Sequence, residues 1–375
     1  MDICKKMKKM VMLTKVNGFS GIVGPLLHAL DGYWEIVAKI DPFQISLPKK
    51  FSCAITSFNI IQKTWRYRYY KCLENYKRSF SAFNKRTKLC KKKLSYIDED
   101  YDLIFQFSHM FMASTNKPSK PYIIYLDRTM KMYEWHFPDV FESMETKEKE
   151  ELYHSVKLAL SLSDRVFTFN DVTRNSVVND YNINCDKVVT VGSGVNIEVL
   201  PHIEKHNSKL VISVCSDFDR HNGRLSLEAM EIARNKIPNA TFIFVGDYPR
   251  EIGNQIRFIP FLPYDKLTEL YAKASVVIMP TSLGGMQTIA EAMACRCACI
   301  AYAKNPYVSG LIIDKENGFL FSKEEPLEIA NMITMVLNDP ELMESVGRTA
   351  QSYILKKYTW ENVALRITKH IEEFI

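Results

Sequence analysis

The sequence predicts an α/β protein with two doubly wound parallel sheets. Short apolar runs alternate with longer amphipathic stretches along the whole chain, which is the order of strands and helices in βαβ units. The chain has 375 residues, enough for two domains that each bury a core. Residues 192–208 show no periodicity and separate two such series, so we expect the interdomain linker there.

The first series contains six predicted strands. The first strand stops at Asn17-Gly18, a turn signal, and Gly21 and Gly24 then flank the start of a helix. Glycines let a backbone approach a ligand closely, although they also serve ordinary turns, so Gly21 is a candidate binding residue. The predicted strands are Met10–Val16, Trp34–Ile40, Asp102–Phe107, Tyr122–Leu126, Ser163–Thr168 and Lys187–Val191.

The second series contains five predicted strands and ends in a helix. The strands are Leu210–Val214, Thr241–Val245, Arg257–Ile259, Ser275–Met279 and Cys297–Tyr302, and the helix is Trp360–Ile375. We therefore divide the chain into a domain at 1–195, a linker at 196–208, a second domain at 209–357 and a terminal helix at 358–375. Ligands of open α/β sheets bind beyond the carboxyl ends of the strands, so we expect functional residues in the loops that follow them.

The composition is that of an ordinary globular protein. Hydrophobic residues make up 47% and charged residues 25% of the chain, and no apolar run approaches the roughly 20 residues of a membrane-spanning helix. The N-terminal residues carry lysines with only a short apolar run, so we expect neither a signal peptide nor a membrane anchor. Nine cysteines without regular spacing favour reduced thiols and a cytoplasmic location.

Positive charge is concentrated between Gln62 and Lys93, where twelve Lys or Arg accompany a single acid, Glu74. Apolar residues recur there at spacings of three and four, which predicts an amphipathic helix with a basic face. These residues are Trp65, Tyr69, Leu73, Tyr76, Phe80 and Phe83. One interpretation is packing on the N-terminal sheet with a solvated basic face, and a second is binding to an anionic membrane surface. Nucleic acid is not expected as a partner, because no recognition motif accompanies the charge.

The stretch Met279–Phe321 contains the strongest functional signal. A strand ends before Pro280, and a turn at Gly284-Gly285 leads into a predicted helix, Gln287–Cys295, with Glu291 in its second turn. The amides and the dipole of a helix start favour a phosphate group. A carboxylate one turn further along can accept hydrogen bonds from a ribose diol. The pattern therefore predicts a nucleotide-sugar site.

This stretch resembles the donor site of retaining glycosyltransferases of the large group 1 family, which have the GT-B fold. Glu291-Ala292-Met293-Ala294 matches the second half of the family signature, and Asn317-Gly318-Phe319-Leu320 matches its downstream turn. The resemblance implies two facing Rossmann-like domains, an N-terminal acceptor domain and a C-terminal donor domain, with a last helix that crosses back. It also implies retaining transfer of a hexose from a nucleotide-diphosphate sugar to a saccharide or lipid-linked acceptor, with no metal or other cofactor.

The resemblance assigns candidate residues on the donor side. The glycine turn, the helix start and Glu291 would hold the diphosphate and ribose, while Phe261 and Leu262 would lie against the base. Structural interpretations stay open for these residues: core packing for the last two, a surface position for Glu291. Thr288 could be a helix cap and Arg220 a solvent-facing loop residue. The full set is Gly21, Arg220, Asn222, Asp247, Phe261, Leu262, Gly284, Gly285, Met286, Gln287, Thr288 and Glu291.

On the acceptor side, the resemblance points to His109 and Asp127 as catalytic candidates. Each follows a predicted strand and could orient the attacking hydroxyl, although either residue could also be purely structural. Gly194-Val195-Asn196 matches the family turn at the end of the first domain and would shape the hinge.

The sequence also departs from the family pattern at three positions. Leu283 stands where the family has a glutamate that contacts the sugar. Asp217 and Asn222 stand where the family has the Arg and Lys that neutralise the diphosphate, so Arg220 or Arg224 would have to replace them. These departures keep a second function open, that of a degenerate GT-B protein that binds nucleotide or a partner without catalysis. A sugar-nucleotide epimerase would need paired carboxylates, which we cannot place.

The close spacing of the cysteines at 295, 297 and 299 is similar to that of metal ligands. Alternate residues of a strand share a face, but no histidine or further cysteine pair completes four ligands. We therefore interpret them as structural thiols and expect no metal.

Overall fold

The structure is a computed structural model that describes residues 7–15, 21–43, 72–73, 75–197, 205, 208–248, 256–308 and 310–375. The chain divides into two compact units. The first comprises Met1–Ser193 with Val363–Ile375, and the second comprises Gly194–Asn362. Of the predicted linker at 196–208, residues 198–204 and 206–207 lie outside the described residues.

The first unit contains a parallel sheet in the order β2-β1-β3-β4-β5-β6. Every residue of the central strands β3 and β4 is buried, as expected of strands with neighbours on both edges and helices on both faces. The six predicted strands are confirmed with small shifts at their ends, and Val16 lies outside the described residues. The strands are β1 (Lys9–Leu13), β2 (Glu35–Ile40), β3 (Leu103–Phe107), β4 (Tyr122–Leu126), β5 (Arg165–Thr168) and β6 (Val188–Thr190).

Helices connect these strands, and several begin at a polar cap. The side chains of Ser79, Thr129 and Asn170 each accept a hydrogen bond from a backbone amide in the first turn of the helix that follows. The described helices of this unit are α1 (Val23–Asp31), α2 (Phe80–Leu94), α3 (Met130–His136), α4 (Pro138–Glu142), α5 (Thr146–Leu162) and α6 (Asp171–Tyr181), with a 3₁₀ turn at Cys185–Lys187.

The predicted basic helix is not continuous. The backbone of Ser79 is extended, and its hydroxyl accepts a hydrogen bond from the amide of Ala82, so α2 starts anew at Phe80. The capping hydrogen bond therefore prevails over the helical periodicity that runs across this point. Trp65, Tyr69 and Glu74 lie outside the described residues.

The second unit contains a parallel sheet in the order β12-β11-β10-β7-β8-β9. Successive residues of its strands enter cores on opposite faces, as Val211 and Ile212 of β7 do. The five predicted strands are confirmed, and β12, which follows the turn at Asn317-Gly318, adds a sixth. The strands are β7 (Leu210–Cys215), β8 (Thr241–Gly246), β9 (Arg257–Ile259), β10 (Val276–Met279), β11 (Ala298–Tyr302) and β12 (Phe319–Phe321). The helices are α7 (Gly223–Lys236), α8 (Tyr264–Lys273), α9 (Met286–Ala294), α10 (Pro326–Asn338) and α11 (Pro340–Lys357).

The last helix, α12 (Trp360–Glu372), passes from the second unit into the first. The Trp360 indole lies against Gly194 and donates to the Asn196 amide oxygen at 2.7 Å. From Val363 onward the helix belongs to the first unit, where the Trp34 indole donates to the Thr368 hydroxyl at 3.0 Å. Among the described residues, no helix is both long and apolar enough to cross a membrane.

Candidate functional site

The glycine turn, residues 280–285, joins β10 to α9 at the carboxyl edge of the second sheet. The Thr281 hydroxyl accepts from the Leu283 amide at 3.1 Å and donates to the Leu283 carbonyl at 2.8 Å. Gly284 and Gly285 then adopt φ of +72° and +78°. A Cβ on Gly285 would also lie 2.2 Å from the Met279 sulfur, so glycine is required there by backbone conformation and by space.

Asn305 stabilises this turn by hydrogen bonds. It was not among the candidate residues predicted from the sequence. Its fully buried amide donates to the carbonyls of Thr281 at 2.9 Å and Gly284 at 3.0 Å, while its oxygen accepts from the Tyr307 amide. Asn305 lies shortly after β11, the strand beside β10. That position was a usable signal, because the carboxyl ends of neighbouring parallel strands meet at one edge of the sheet.

Helix α9 begins directly after the turn, with Gly285 at its N-cap and no acidic residue in its first turn. The first amides of a helix have no partner within the helix, and together with its dipole they attract an anion. Thr288 and Gln287 are half-buried in this first turn. The Gln287 amide donates to the Gly194 carbonyl and to a Glu291 carboxylate oxygen, both at 3.1 Å.

Glu291 is buried, with only 4% of its surface exposed, and is therefore not a surface glutamate. Burial raises the pKa of its carboxyl to about 7, although hydrogen bonds from Gln287 and Tyr264 oppose this effect. A carboxylate has about four acceptor positions. The Gln287 amide occupies one of them, which leaves capacity for the hydroxyls of a ligand.

Lys205 joins the far ends of the two helices that meet at Glu291. Lys205 is 3% exposed, and its ammonium group donates to the carbonyl of Tyr271 at 2.9 Å, near the end of α8. It also donates to the carbonyl of Cys295, directly after α9. Carbonyls at helix C-termini favour a cation, so Lys205 holds α8 and α9 together.

The two residues predicted to contact the base differ in their exposure to solvent. Phe261 is 82% exposed and does not pack in the core, whereas Leu262 is half-buried against the core of the second unit. An aromatic side chain held in solvent beside a carboxyl strand end is available to stack on a planar ligand.

The loop after β7 contains the two positions, Asp217 and Asn222, at which the family has an Arg and a Lys. The Arg220 guanidinium pairs with the Asp217 carboxylate at 3.1 Å, and both side chains are about one-third exposed. Asn222 adopts φ of +56° at the start of α7 and donates to Glu324 at 3.3 Å. Arg224, in the first turn of α7, is exposed. Arg220 therefore already has an acidic partner in this structure.

Asp247 follows β8, the strand next to β7. Its carboxylate accepts from the Phe218 amide at 3.2 Å and so shapes the β7 loop. Gly246 makes this approach of the two strands feasible, because a Cβ there would lie 2.0 Å from the Cys215 carbonyl oxygen. Asp247 itself is exposed.

In the first unit, His109 and Asp127 follow the neighbouring strands β3 and β4. His109 is 1% exposed, and neither ring nitrogen has a hydrogen-bond partner among the described residues. Burial lowers the pKa of His109 to about 4, although the charge of Asp127 opposes this. Asp127 pairs with Arg128 at 2.9 Å. Gly21, with φ of +75°, also belongs to this unit, apart in the chain from the other donor-side candidates.

The cysteines of β11 and its approach are buried within the second unit. Cys297 donates to the Tyr271 carbonyl at 3.1 Å, and burial raises the pKa values of Cys297 and Cys299. Within the part of the chain that the structure describes, no group of three His, Cys, Asp or Glu side chains is arranged to hold a metal ion.

Comparison with known proteins bears on the second unit most directly. Residues 198–353 match the family described as glycosyl transferases group 1. An uncharacterized glycosyltransferase of Methanocaldococcus jannaschii is 25% identical over 230 residues, covering 58% of this chain and 62% of that protein. The sulfoquinovosyl transferase SQD2 of Arabidopsis thaliana is 27% identical over 161 residues, covering 39% of this chain and 31% of that protein. The chain thus spans less than two thirds of the length of these relatives.

Solved structures resemble the whole chain. Sucrose-phosphate synthase from Thermosynechococcus elongatus has a TM-score of 0.67 at 15% identity and covers 98% of both chains. Anabaena HepE, solved in complex with UDP and glucose, has a TM-score of 0.63 at 15% identity and covers 98% of this chain and 100% of its own. Residues 198–353 thus match the group 1 glycosyltransferase family, and the architecture that the chain shares with these structures is the GT-B fold.

Proposed function

We propose that the chain transfers a hexose from a nucleotide-diphosphate sugar to a saccharide or lipid-linked acceptor, with retention of anomeric configuration. The observation that carries this proposal is the buried Glu291 carboxyl, one turn behind the glycine turn at the start of α9. A ribose diol can donate two hydrogen bonds to this carboxylate while the phosphates lie at the helix start. The nucleotide sugar is a co-substrate, and we propose no further cofactor.

The remaining donor-side residues supply contacts to the other parts of the nucleotide. The start of α9 and the exposed Arg224 would stabilise the negative charge of the departing diphosphate, with Arg220 contributing if it leaves Asp217. The exposed Phe261 ring would stack on the base. Asp247 would contact the nucleotide from the end of β8.

The acceptor hydroxyl would be oriented by residues of the first unit. Because its pKa is about 4, His109 is neutral at pH 7 and can donate from one ring nitrogen while the other accepts. Asp127 would act as a second acceptor beside it. These are positioning interactions, which raise the rate by holding the hydroxyl at the sugar.

A second candidate function is nucleotide binding without catalysis. The Arg220–Asp217 pair favours it, because an arginine already neutralised by an aspartate is less available to stabilise a leaving diphosphate. Leu283, which occupies the position of the family glutamate, removes a polar contact to the sugar.

The two candidates are separated by assaying binding and turnover together. The protein is titrated with a panel of nucleoside diphosphates and their glucose conjugates by thermal shift, and donor hydrolysis is followed by proton NMR. The proposed enzyme should be stabilised by a nucleotide sugar and should release the sugar first as the anomer present in the donor. Binding without any hydrolysis or transfer would favour the second function, and binding of no nucleotide would contradict both.

We propose in addition that the protein works at an anionic membrane surface from the cytoplasmic side. The support is the exposed basic face of α2, on which Lys88, Lys91 and Lys92 point away from the buried Phe83 and Cys90. Each lysine near an anionic surface contributes about 1 kcal/mol of attraction. A lipid-linked acceptor would lie in such a membrane.

A further inference from the structure

The first unit contains a pocket of about 320 Å³ where the start of α2 meets α4 and the start of α5. Its volume lies at the lower end of the range for small-molecule sites. The pocket lies where Ser79 separates the helical residues 75–78 from α2, the point at which the sequence predicted one continuous helix. The hydroxyl, amide and carboxyl side chains that line it belong to Asn75, Tyr76, Ser79, Ser81, Ser143 and Glu148.

Two of these side chains have acceptor capacity that the protein does not use. The Asn75 amide oxygen is buried and has no hydrogen-bond partner among the described residues, which is an unfavourable state for a polar atom. The Glu148 carboxylate accepts from the Phe80 amide at 3.2 Å through one oxygen, and a carboxylate has about four acceptor positions. The pocket therefore favours a ligand that presents several hydrogen-bond donors.

The charge of the pocket narrows the class of ligand. Glu148 is the single charged side chain among the described residues that line it, so an anionic group such as phosphate is disfavoured. Tyr76, Val140 and Met144 add apolar surface beside the polar groups. A saccharide ring suits this combination, because it is uncharged and carries hydroxyls at its rim and C–H groups on its faces.

The pocket lies at the same edge of the sheet as the acceptor candidates. Helices α2 and α5 lead into the parallel strands β3 and β5, so both helices begin near the carboxyl ends of strands, as His109 and Asp127 do. The Arg78 guanidinium, directly before Ser79 in the chain, lies 5.4 Å from the centre of the Tyr133 ring. That ring centre is 6.2 Å from the centre of the His109 ring. A short series of contacts thus connects the pocket to His109.

We propose that this pocket binds a saccharide unit of the acceptor, one that is linked to the sugar whose hydroxyl attacks near His109. The inference rests on the proposed function, and it narrows the acceptor to a saccharide with more than one sugar unit. A lipid alcohol without sugars would not use the pocket.

The test uses the full chain with carbon-13 in its methionine methyl groups, because Met144 lines the pocket. The Met144 signal is assigned by its absence in Met144→Leu, and Met230, buried in the second unit, is the internal reference. The probes are the methyl glycosides of glucose, galactose, mannose and N-acetylglucosamine, with putrescine as an amine that would pair with Glu148. At least one glycoside should shift the Met144 signal at millimolar concentration while the Met230 signal stays in place.

Three variants test the assignment of that shift to the pocket. Glu148→Gln keeps an oxygen for the Phe80 amide but loses the charge, and it should weaken binding of the glycoside about tenfold, the effect of one hydrogen bond to a charged group. Ser81→Trp brings an indole into the pocket from an exposed position on α2 and should abolish the shift. Ser161→Trp, at an exposed position on α5, is the matched control and should bind as the parent protein does. A shift that survives both Glu148→Gln and Ser81→Trp would overturn the proposal, as would tighter binding of putrescine than of any glycoside.

The outcomes separate this inference from the proposed function. If the protein turns over a nucleotide sugar but no glycoside shifts the Met144 signal, the pocket is not a saccharide subsite and the transferase function stands. If a glycoside shifts the Met144 signal but no nucleotide sugar binds, the proposed function fails. The role of the pocket in acceptor binding then fails with it.

Discussion

Glu291 is the residue on which the proposed chemistry depends most, and its burial also makes it a cost to folding. Its side chain is 4% exposed and its partners are neutral donors rather than cations. Binding residues that are held in such unfavourable surroundings commonly reduce stability, because the fold must keep a charge away from water. The cost of burying Glu291 should therefore be measurable in the free energy of unfolding of the protein without any ligand.

The first prediction concerns the stability of Glu291→Gln against pH. The folded-state pKa of about 7 lies above the unfolded value near 4.3, so the folded protein binds more protons between these limits. Stability should consequently fall as pH rises from about 4.5 to 7 and level off above, by on the order of 3 kcal/mol. The variant should lack this decline when the free energy of unfolding of the second unit is measured in denaturant.

The control for that comparison is Glu341→Gln, which removes an equal charge from an exposed site at the start of α11. If parent and Glu291→Gln proteins show the same decline with pH, Glu291 does not carry the raised pKa.

The second prediction concerns the pair formed by Arg220 and Asp217. Asp217→Asn should strengthen binding of a nucleoside diphosphate, because it removes a negative charge and frees the guanidinium that is now held at 3.1 Å. Arg220→Ala should weaken binding of the nucleoside diphosphate far more than binding of the corresponding nucleoside. Equal changes for nucleotide and nucleoside in calorimetry would show that Arg220 does not reach phosphate, and Arg224→Ala would then be the informative variant.

At the scale of elements, two helices show different features: α11 packs closely against the end of α9, and α2 has a charged surface. Helix α11 passes so near the end of α9 that a Cβ on Gly347 would lie 2.4 Å from the Arg296 carbonyl oxygen. Arg296 itself has φ of +61°, a left-handed conformation that L residues avoid. In contrast, α2 presents exposed lysines on one face and buried residues on the other.

The third prediction follows from that close approach. Gly347→Ala should destabilise the protein by about 1–3 kcal/mol, although alanine is the better helix former, because a backbone atom cannot move away cheaply. Gly24→Ala in α1 is the matched control, since nothing lies within 4 Å of its Cβ position. It should be neutral or stabilising by about 0.5 kcal/mol in the same urea titration. A neutral Gly347→Ala would mean that the two segments are further apart than described.

The fourth prediction concerns the basic face of α2. Reversing Lys88, Lys91 and Lys92 to glutamate should abolish sedimentation with anionic vesicles at low salt, because the attraction is electrostatic and is screened within about 10 Å at 0.1 M salt. Lys93 is left unchanged, since it donates to the Asp41 carbonyl. The same reversal at the exposed Lys147, Lys157 and Lys356 controls for net charge and should preserve sedimentation. Equal recovery of parent protein with neutral and anionic vesicles would contradict a membrane role.

At the scale of the whole molecule, the chain forms two units, and the first of them consists of two separate segments of the chain. The last helix starts in the second unit and supplies the first with residues that have no exposed surface, among them Ile367 and Ile371. Arg366 on the same helix donates to the Val191 carbonyl at 2.6 Å. The first unit therefore depends for its core on residues at the far end of the chain.

The fifth prediction tests that dependence. Ile367→Ala should destabilise the first unit by about 2–5 kcal/mol, the usual cost of truncating a buried isoleucine, while the second unit should unfold as before. Leu365→Ala, two residues away and 40% exposed, is the control and should change little. Scanning calorimetry should then show one transition lowered and the other unmoved. A shift of the second-unit transition alone would contradict the assignment of this segment.

The fold class and the glycine turn were determined by the sequence itself. The alternation of apolar runs predicted eleven of the twelve strands that lie in the described residues, because backbone pairing in a parallel sheet follows local hydrophobic pattern closely. Gly284 and Gly285 identified the turn, since positive φ is a property of single residues. The short β12 was read only as part of the turn at Asn317-Gly318 that precedes it.

Tertiary structure decided how the site is built. The contacts of Asn305 with the turn, of Gln287 with Glu291, and of Lys205 with two helix ends join residues that are distant in sequence or lack a motif. The burial that raises the pKa of Glu291 and the ion pair that holds Arg220 likewise depend on which neighbours the fold brings near. Local patterns specify backbone conformation, but the energy of a charged side chain depends on its three-dimensional surroundings, which no single stretch of sequence contains.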